Sequence, residues 1–511
     1  MIFDSEFNKR TKIVATLGPA TTGKIFTKEQ LVDPNNAAKK QKIYNTMQKI
    51  FLAGVNVCRL NFSHGDHAEE EVKLQIIKDV AKELNINVAI MLDTKGPEIR
   101  VGKIVDSKKK DTTLLVKQDS ILTIKTKDFS PCLATDNEVY VYDSTKTYNM
   151  AKDLAIDKMI LIDDGKLQLR VKSVDVEKGI IKAKALNSHT IYEKKRINLP
   201  GSKYTMPFLS KKDKEDLKFA VKHDLDYIAL SFVNSAQNII EVKKELAKLN
   251  ASEKLQLFAK IESTDAIKNF NEILQEADGI MVARGDLGLE VPFYDIPYWE
   301  KYILQQCHKF GKPCIVATQM LDSLERCIQP TRAEVTDVFF AVENGADATM
   351  LSGETANGLF PIEAVKVMAA IDAVAEKHFD YKKNIKFYKK NTLIEKQYKK
   401  QAIKIAKKVL PCCCKESTNC SKYENLIIFT NDFELIWAIS AIKPACKIIA
   451  VTNKSINVNR FAVNYGVQTV FIRKEFNENF DPFTTAKEIK FELNLSEKTL
   501  LYNKKKFYDI N

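Results

Sequence analysis

Eight short apolar runs, each closed by polar or glycine-containing residues, punctuate the first three-quarters of the chain. They are TKIVATLG (11–18), VNVCRLNF (55–62), VAIMLDTKG (88–96), YIALSFV (227–233), LFAKIES (257–263), GIMVARGDLG (279–288), PCIVATQML (313–321) and DATMLSGET (347–355). Short runs rich in Val, Ile, Leu and Ala and bounded by turn signals read as strands buried on both faces of a parallel sheet. Amphipathic stretches with helical spacing lie between most of them: DKEDLKFAVKH (213–223), YWEKYILQQCHKF (298–310) and TRAEVTDVFFAVEN (331–344). In the last, Thr331 and Glu334 have the spacing of a capping box. Alternating strand and helix implies a parallel sheet, and eight repeats imply α/β architecture of the (β/α)8 TIM barrel type. The polar residues gather at the C-terminal ends of the runs, where such barrels build their sites.

The spacing between the third and fourth runs is much longer than the rest. There the pattern changes to period two, as in TTLLVKQDSILTIKT (112–126) and IIKAKAL (180–186). That alternation predicts half-buried antiparallel strands and a small β-barrel domain inserted at the active-site end, placed to act as a lid. After residue 376 the pattern changes once more, and NLIIFT (425–430), CKIIAVT (446–452) and VQTVFIR (467–473) read as strands of a C-terminal α/β domain. The expected division is 1–97 with 208–376 for the barrel, 98–207 for the inserted lid and 377–511 for the C-terminal domain. Segment 24–45 is polar and reads as a surface insertion. No internal repeat is apparent.

Composition narrows this picture. The 511 residues include 45% apolar and 28% charged positions, ordinary for a globular chain of two to four domains. No unbroken apolar stretch reaches membrane-spanning length, and the start, with Asp4 and Glu6, lacks the apolar core of a secretory leader, so a cytoplasmic location is expected. Ten cysteines are spread too thinly for a disulfide framework. Cys412, Cys413, Cys414 and Cys420 cluster without CxxC spacing, which leaves a reduced loop or a metal site. Much of the net charge of +13 is local: eleven lysines and a single acid, Glu395, lie within 382–408. That stripe is either the solvated face of helices or an anion-attracting patch. Few aromatics and no stacking motif accompany it, which disfavours nucleic acid as a partner.

Candidate chemistry lies at the run ends. On a strand, Lys260 and Glu262 share one face, and burying both is costly unless they are paired or bind something. They read as a structural ion pair or as a phosphoryl and metal site. Asp286, read as the end of the next strand, is either a capping aspartate or a second carboxylate for one Mg²⁺. Gly285 permits close backbone approach, and the residues after it could open a helix. Arg59, Asn61 and Ser63 alternate onto one face, and Asp93 and Thr94 end the third run. The oxygens of Asn61, Ser63, Asp93 and Thr94 suit a hard cation, and Arg59 and Arg100 suit phosphate. Thr318 is placed either to guide a proton or simply to bond backbone. His64 alone carries little signal.

In order, TKIVATLGP, RLNFSHG, LDTKGPEIR, IDDG, NLPG, AKIES, VARGDLG, ATQML and MLSGETA are similar to the strand-end motifs of the pyruvate kinase family, over most of 11–376. The resemblance implies a glycolytic phosphotransferase that moves the phosphoryl group of phosphoenolpyruvate to ADP, giving pyruvate and ATP. It implies that Lys260 stabilises the transferring phosphoryl group and the enolate. Glu262 and Asp286 would hold Mg²⁺ (or Mn²⁺). Ala283, Arg284, Gly285 and Asp286 would surround the substrate carboxylate with backbone, and Thr318 would line the face where the enolate is protonated. Arg59, His64, Arg100 and Lys195 would contact the nucleotide or its phosphates. Asn61, Ser63, Asp93 and Thr94 would coordinate K⁺, and a glutamate at the position of Glu98 accompanies K⁺ dependence. A homotetramer is the family expectation. The chain departs from the pattern at Thr430-Asn431-Asp432-Phe433-Glu434, where regulated members carry a phosphate loop, so activation by fructose bisphosphate at that place is not expected. The family's glycine-rich loop near the C-terminus is likewise replaced, by Tyr502–Lys506, and Arg196 stands where glycine is common. The rival readings are an Mg²⁺-enolate lyase or mutase barrel and a non-catalytic barrel that binds RNA or other anions.

Overall fold

The computed structural model describes residues 9–23, 27–63, 65–143, 145–251, 254–410, 423–455 and 458–510. The eight runs form eight strands: β1 (Lys12–Thr16), β2 (Val57–Asn61), β3 (Ala89–Asp93), β4 (Tyr227–Leu230), β5 (Gln256–Ile261), β6 (Gly279–Ala283), β7 (Cys314–Ala317) and β8 (Ala348–Leu351). All pair in parallel and close into a barrel, with β8 returning to β1 at Ala348↔Lys12.

Period-two alternation decides what each barrel residue faces. Val14, Val57, Ala89, Met91, Tyr227, Ala229, Phe258, Met281 and Ile315 pack together in the barrel interior. Their neighbours Ile13, Cys58, Ile90, Ile228, Leu257, Ile280 and Val316 pack outward against the helices. Continuing the inward parity by one or two steps reaches Arg59, Asn61, Asp93, Ser231, Lys260 and Glu262. The barrel is therefore apolar through its middle and charged at one mouth.

The helices follow the predicted stretches. Lys211–Lys222 starts with a capping box between Ser210 and Asp213. Arg332–Glu343 starts with the predicted one, Glu334 N donating to Thr331 Oγ1 at 3.2 Å and Thr331 N to Glu334 Oε2 at 2.7 Å. Segment 24–45 differs from expectation. Its described part holds the helix Lys28–Val32 and the first turns of Ala37–Leu52, and these bury Leu31 and Ile43 against the barrel helices. The apolar positions are too sparse in a polar stretch to announce that packing.

The insertion is a second closed barrel, of seven strands. Ile180–Ala185 shows the alternation that the sequence predicts, and most pairings are antiparallel. Two details differ. Run 112–126 is two strands, Leu114–Val116 and Ile121–Lys125, split by a turn with Asp119 at φ +66°. Ile121–Lys125 also pairs in parallel with Glu138–Tyr142. Alternation reports facing but not direction, so the sequence could not reveal that.

The C-terminal sheet runs in the order Val467–Phe471, Lys447–Thr452, Asn425–Phe429, Thr499–Asn503, Lys506–Asp509, parallel except for its last pair. The lysine-rich stretch forms the helices Tyr381–Asn391 and Lys396–Lys408, which bury Tyr388 and Ile405 and leave nearly all of the lysines exposed. The cysteine cluster 412–420 lies outside the described residues. This domain closes the base of the eight-stranded barrel. Val463 joins the barrel interior, Tyr227 donates to the Asn459 carbonyl at 2.7 Å, and buried Lys443 pairs with buried Asp347 at 2.8 Å. No helix among the described residues is long and apolar enough to cross a membrane.

Gly279, at the start of β6, exists to admit the ring of Phe258: a Cβ there would lie 2.3 Å from that ring. Gly279→Ala is expected to destabilise the barrel by roughly 1–3 kcal/mol through overpacking. A fall in the urea midpoint at constant m-value, largely recovered by adding Phe258→Leu, is the expected result; an unchanged midpoint would show that the ring moves freely.

Candidate active site

The charged mouth of the barrel is built around Asp93. Arg59 Nε donates to its Oδ2 at 2.6 Å, and Arg59 Nη1 donates to Thr16 Oγ1 at 2.8 Å. Lys260 Nζ donates to Asp93 Oδ1 at 3.1 Å and to Ser231 Oγ at 2.8 Å. Ser231 Oγ in turn donates to the Thr94 carbonyl at 2.7 Å. All of these side chains are buried. Burial opposes charge on each, but the partners prevail. Arg59 and Lys260 hold the Asp93 carboxyl below its usual range, and Asp93 and Glu262 hold the Lys260 ammonium above the usual lysine value. Both therefore stay charged at neutral pH.

Glu262 is held on both sides. Phe232 N donates to its Oε2 at 2.7 Å. Its Oε1 is buried and lies 2.9 Å from Lys260 Nζ as an ion pair. Asp286 stands across the cleft. It is not at a strand end, as expected: β6 stops at Ala283, the helix Arg284–Glu290 opens at once, and Asp286 lies in its first turn. The glycines of VARGDLG fall inside the helix rather than before it, so the boundary was not visible in its pattern. Arg196, from the inserted domain, lies against Asp286.

The cleft has two lobes. One, of about 310 Å³, is lined by Arg59, Asn61, Ser63, Asp93, Glu98, Arg100, Lys195, Lys260, Glu262 and Asp286, among others. The second, of about 660 Å³, is lined by Arg284, Gly285, Asp286, Thr318, Ser352 and Glu354, among others. Glu98 accepts from Arg100 Nε at 3.0 Å and Nη2 at 2.7 Å. Lys195 pairs with Asp163 at 2.7 Å. Asn61 Oδ1 accepts from Ser63 N at 3.2 Å.

Some predicted residues face elsewhere. Thr94 is buried outside both lobes, its hydroxyl accepting from Ser231 N at 3.1 Å. Ala283 is buried beneath the cleft. The Arg284 guanidinium donates to Glu300 at 3.1 Å, to Asp337 at 2.6 Å and to the Thr318 carbonyl at 2.8 Å, so its side chain is committed to the scaffold. Thr318 Oγ1 bonds backbone, donating to the Ala317 carbonyl at 2.6 Å and accepting from Gly285 N at 2.7 Å. Thr318 and Gln319 lie at φ +70° and +53°, a conformation that costs a β-branched residue energy and collects at functional sites. His64 lies outside the described residues.

Comparison with known proteins decides the family. Residues 8–365 match the model described as "Pyruvate kinase, barrel domain". The pyruvate kinase of Mycoplasma pneumoniae is 46% identical over 461 residues, covering 90% of this chain and 89% of its own. That of Mycoplasma genitalium is 46% identical over 472 residues, 92% and 91% of the two chains. A crystal structure of a pyruvate kinase from Cryptosporidium parvum superposes with a TM-score of 0.83 at 31% identity, over 99% of this chain and 97% of that one. The chain belongs to the pyruvate kinase family.

Family membership sets aside the lyase, mutase and non-catalytic readings. Three residues that complete the cleft were given no role in the sequence, although Asp163 lies in the IDDG motif. Ser231 takes the Lys260 hydrogen bond, Phe232 at φ +57° presents its N–H to Glu262, and Asp163 holds Lys195. Ser231 had a signal, since it continues the inward parity of Tyr227 and Ala229. Ser231→Ala is expected to lower pyruvate kinase kcat about tenfold with little change in KM, the worth of one hydrogen bond to a charged group. An unchanged kcat would mean that Asp93 and Glu262 position Lys260 unaided.

Proposed function

We propose that the two-lobed cleft binds phosphoenolpyruvate and ADP and transfers the phosphoryl group between them, giving pyruvate and ATP. The observation that carries this reading is the convergence of Lys260, Asp93, Glu262 and Asp286 at one barrel mouth, with Lys260 paired to both Asp93 and Glu262. Phosphoryl transfer needs alignment and charge neutralisation more than covalent catalysis.

Lys260, kept protonated by its carboxylates, faces the transferring phosphoryl group and the enolate oxygen left behind. Glu262 and Asp286 are the residues that would hold Mg²⁺. Two carboxylates fit an ion that keeps water and substrate oxygens, and among the described residues no three His, Cys, Asp or Glu gather into a closed metal cage. When bound, Mg²⁺ (or Mn²⁺) supplies positive charge to the phosphoryl and carboxylate oxygens. The backbone of Ala283, Arg284, Gly285 and Asp286 borders the substrate carboxylate. Thr318, on its strained turn, lines the face where the enolate takes a proton, and exchanges its bond to the Ala317 carbonyl for a place in that relay.

Arg59, Arg100, Lys195 and His64 serve the nucleotide phosphates. Asn61 and Ser63 offer oxygens in the same lobe, beside Asp93, for K⁺; Thr94 fits through its carbonyl better than through its engaged hydroxyl. The inserted barrel acts as a lid that excludes water and limits hydrolysis. The assembly is a cytoplasmic homotetramer. Asp432 caps the helix Phe433–Ala441, placing a carboxylate where a regulatory phosphate would sit, which supports the absence of fructose bisphosphate control.

Pyruvate formation from phosphoenolpyruvate and ADP is expected to require Mg²⁺, to rise with K⁺, and to fall by at least about 10³ in Lys260→Met. A folded Lys260→Met protein with near wild-type turnover would remove the central residue from this scheme. Glu98→Lys is expected to lose the K⁺ response while keeping turnover; retention of the full K⁺ response would place the ion elsewhere.

A further inference from the structure

The inserted domain meets the cleft with a tight turn, 163–166, between the strands Met159–Ile162 and Leu167–Asp175. Asp163, Asp164 and Gly165 follow one another there in left-handed backbone, at φ +55°, +55° and +79°. That region costs a residue with a side chain energy, so the turn needs something to hold it. Segment 187–189 does so. Asn187 Nδ2 donates to the Lys166 carbonyl at 2.7 Å, and Asn187 Oδ1 accepts from Gln168 N at 3.0 Å. His189 Nε2 lies 2.9 Å from Asp163 Oδ2. His189 opens the strand His189–Ile191, which pairs with Leu114–Val116 in a two-stranded ribbon outside the seven-stranded barrel. Ser188 Oγ ties the same ribbon down by accepting from Gln118 N at 2.9 Å.

The other oxygen of Asp163 carries the consequence into the cleft. Asp163 is buried, and its Oδ1 lies 2.7 Å from Lys195 Nζ. The Lys195 backbone is anchored, its carbonyl accepting from Val101 N at 2.8 Å. Its side chain is 39% exposed and otherwise only approaches the ring of Tyr192, at 5.9 Å. Packing therefore does not fix the ammonium, and Asp163 does. Burial opposes charge on Asp163, but Lys195 and His189 hold its carboxyl below the usual range. An ionised carboxylate only accepts, so the His189 nitrogen that faces it carries the proton. Lys166 also approaches Asp163 Oδ2, at 3.7 Å, but it is 60% exposed and screened. The imidazole is thus the fixed donor that pins one oxygen and aims the other at Lys195. With one ammonium proton on Asp163, two remain for a phosphate.

We propose that His189 is a positioning residue for the nucleotide: through Asp163 it sets where Lys195 holds its ammonium, and so tunes the affinity for the diphosphate without touching substrate. The proposal rests on the preceding reading that Lys195 serves the nucleotide phosphates.

The test is steady-state kinetics of the full-length protein, with ADP and phosphoenolpyruvate varied in turn. His189→Ala is expected to raise KM for ADP about fivefold, the scale of one partly exposed hydrogen bond to a charged group. The KM for phosphoenolpyruvate and kcat should stay within about twofold of wild type. His189→Gln, which offers an amide N–H in place of the ring N–H, should recover most of the loss. His189→Phe, which keeps a ring but no donor, should behave as His189→Ala. In a Lys195→Ala background, His189→Ala should add no further rise. If Lys195→Ala alone leaves KM for ADP unchanged, the nucleotide role of Lys195 fails and this proposal with it. If Lys195→Ala raises that KM but His189→Ala does not, the positioning role alone fails. A wild-type KM in His189→Phe, or no recovery in His189→Gln, would mean that the ring packs rather than donates, and overturns it. So does a rise in both KM values with a fall in kcat, or a full further rise in the Lys195→Ala background, because either describes general slackening of the inserted domain.

Discussion

The buried carboxylate of Asp93 organises the catalytic mouth. Each ion taken from water into a barrel top costs several kcal/mol unless it is paired and hydrogen-bonded. Asp93 receives Arg59 from the strand before it and Lys260 from two strands beyond, while Ser231, on the strand between, bonds Lys260 and bridges back to Thr94. Remove the carboxylate and two cations are stranded together. With it in place, Lys260 is held charged and facing the cleft, which is what the proposed role of stabilising developing negative charge requires. The strand alternation that buries Met91 and Phe258 in the interior delivers Asp93 and Lys260 to the same layer one step further along.

Around this fixed centre the backbone is strained at two places. Thr318 and Phe232 both adopt left-handed conformations, and each is held by polar bonds that relaxation would forfeit. Arg284 grips the Thr318 carbonyl from below, itself anchored by Glu300 and Asp337. Glu262 accepts from Phe232 N. The scaffold thus spends one arginine entirely on geometry. This explains why the Arg284 side chain, which the sequence could only place near the substrate, turns away from the cleft while its backbone stays at the rim.

Much of this was legible in the chain. Eight apolar runs ending in charge announced both the barrel and which end of it carries the charged mouth, because burial on both faces and the cost of buried charge leave distinct marks. What stayed hidden had physical reasons. Ser231 is a small hydroxyl in an apolar run and looks like any strand-end serine until parity is followed. Asp286 moved from strand end to helix because Arg284 and Gly285 are compatible with either. Thr94 has the right chemistry but turns its hydroxyl into the wall, a matter of one rotamer. Arg196 read only as a departure from a family glycine; its contact with Asp286 joins residues ninety positions apart on separate domains, and no local pattern encodes that.

The two ends of the barrel are electrostatically separate, and that separation is what lets the C-terminal domain diverge. At the base, Lys443 neutralises Asp347, and Val463 fills the interior beneath Tyr227. Between base and mouth lies a close-packed layer containing Met91, Tyr227, Phe258 and Met281, each without exposed surface. Such a layer transmits strain but offers charges no path to compensate one another. Each end is balanced on its own terms: Lys443 with Asp347 at the base, and Arg59 and Lys260 with Asp93 and Glu262 at the mouth. Changes at Thr430–Glu434 or in the 382–408 helices can then accumulate without disturbing the mouth, provided that the plug at Val463 keeps its shape.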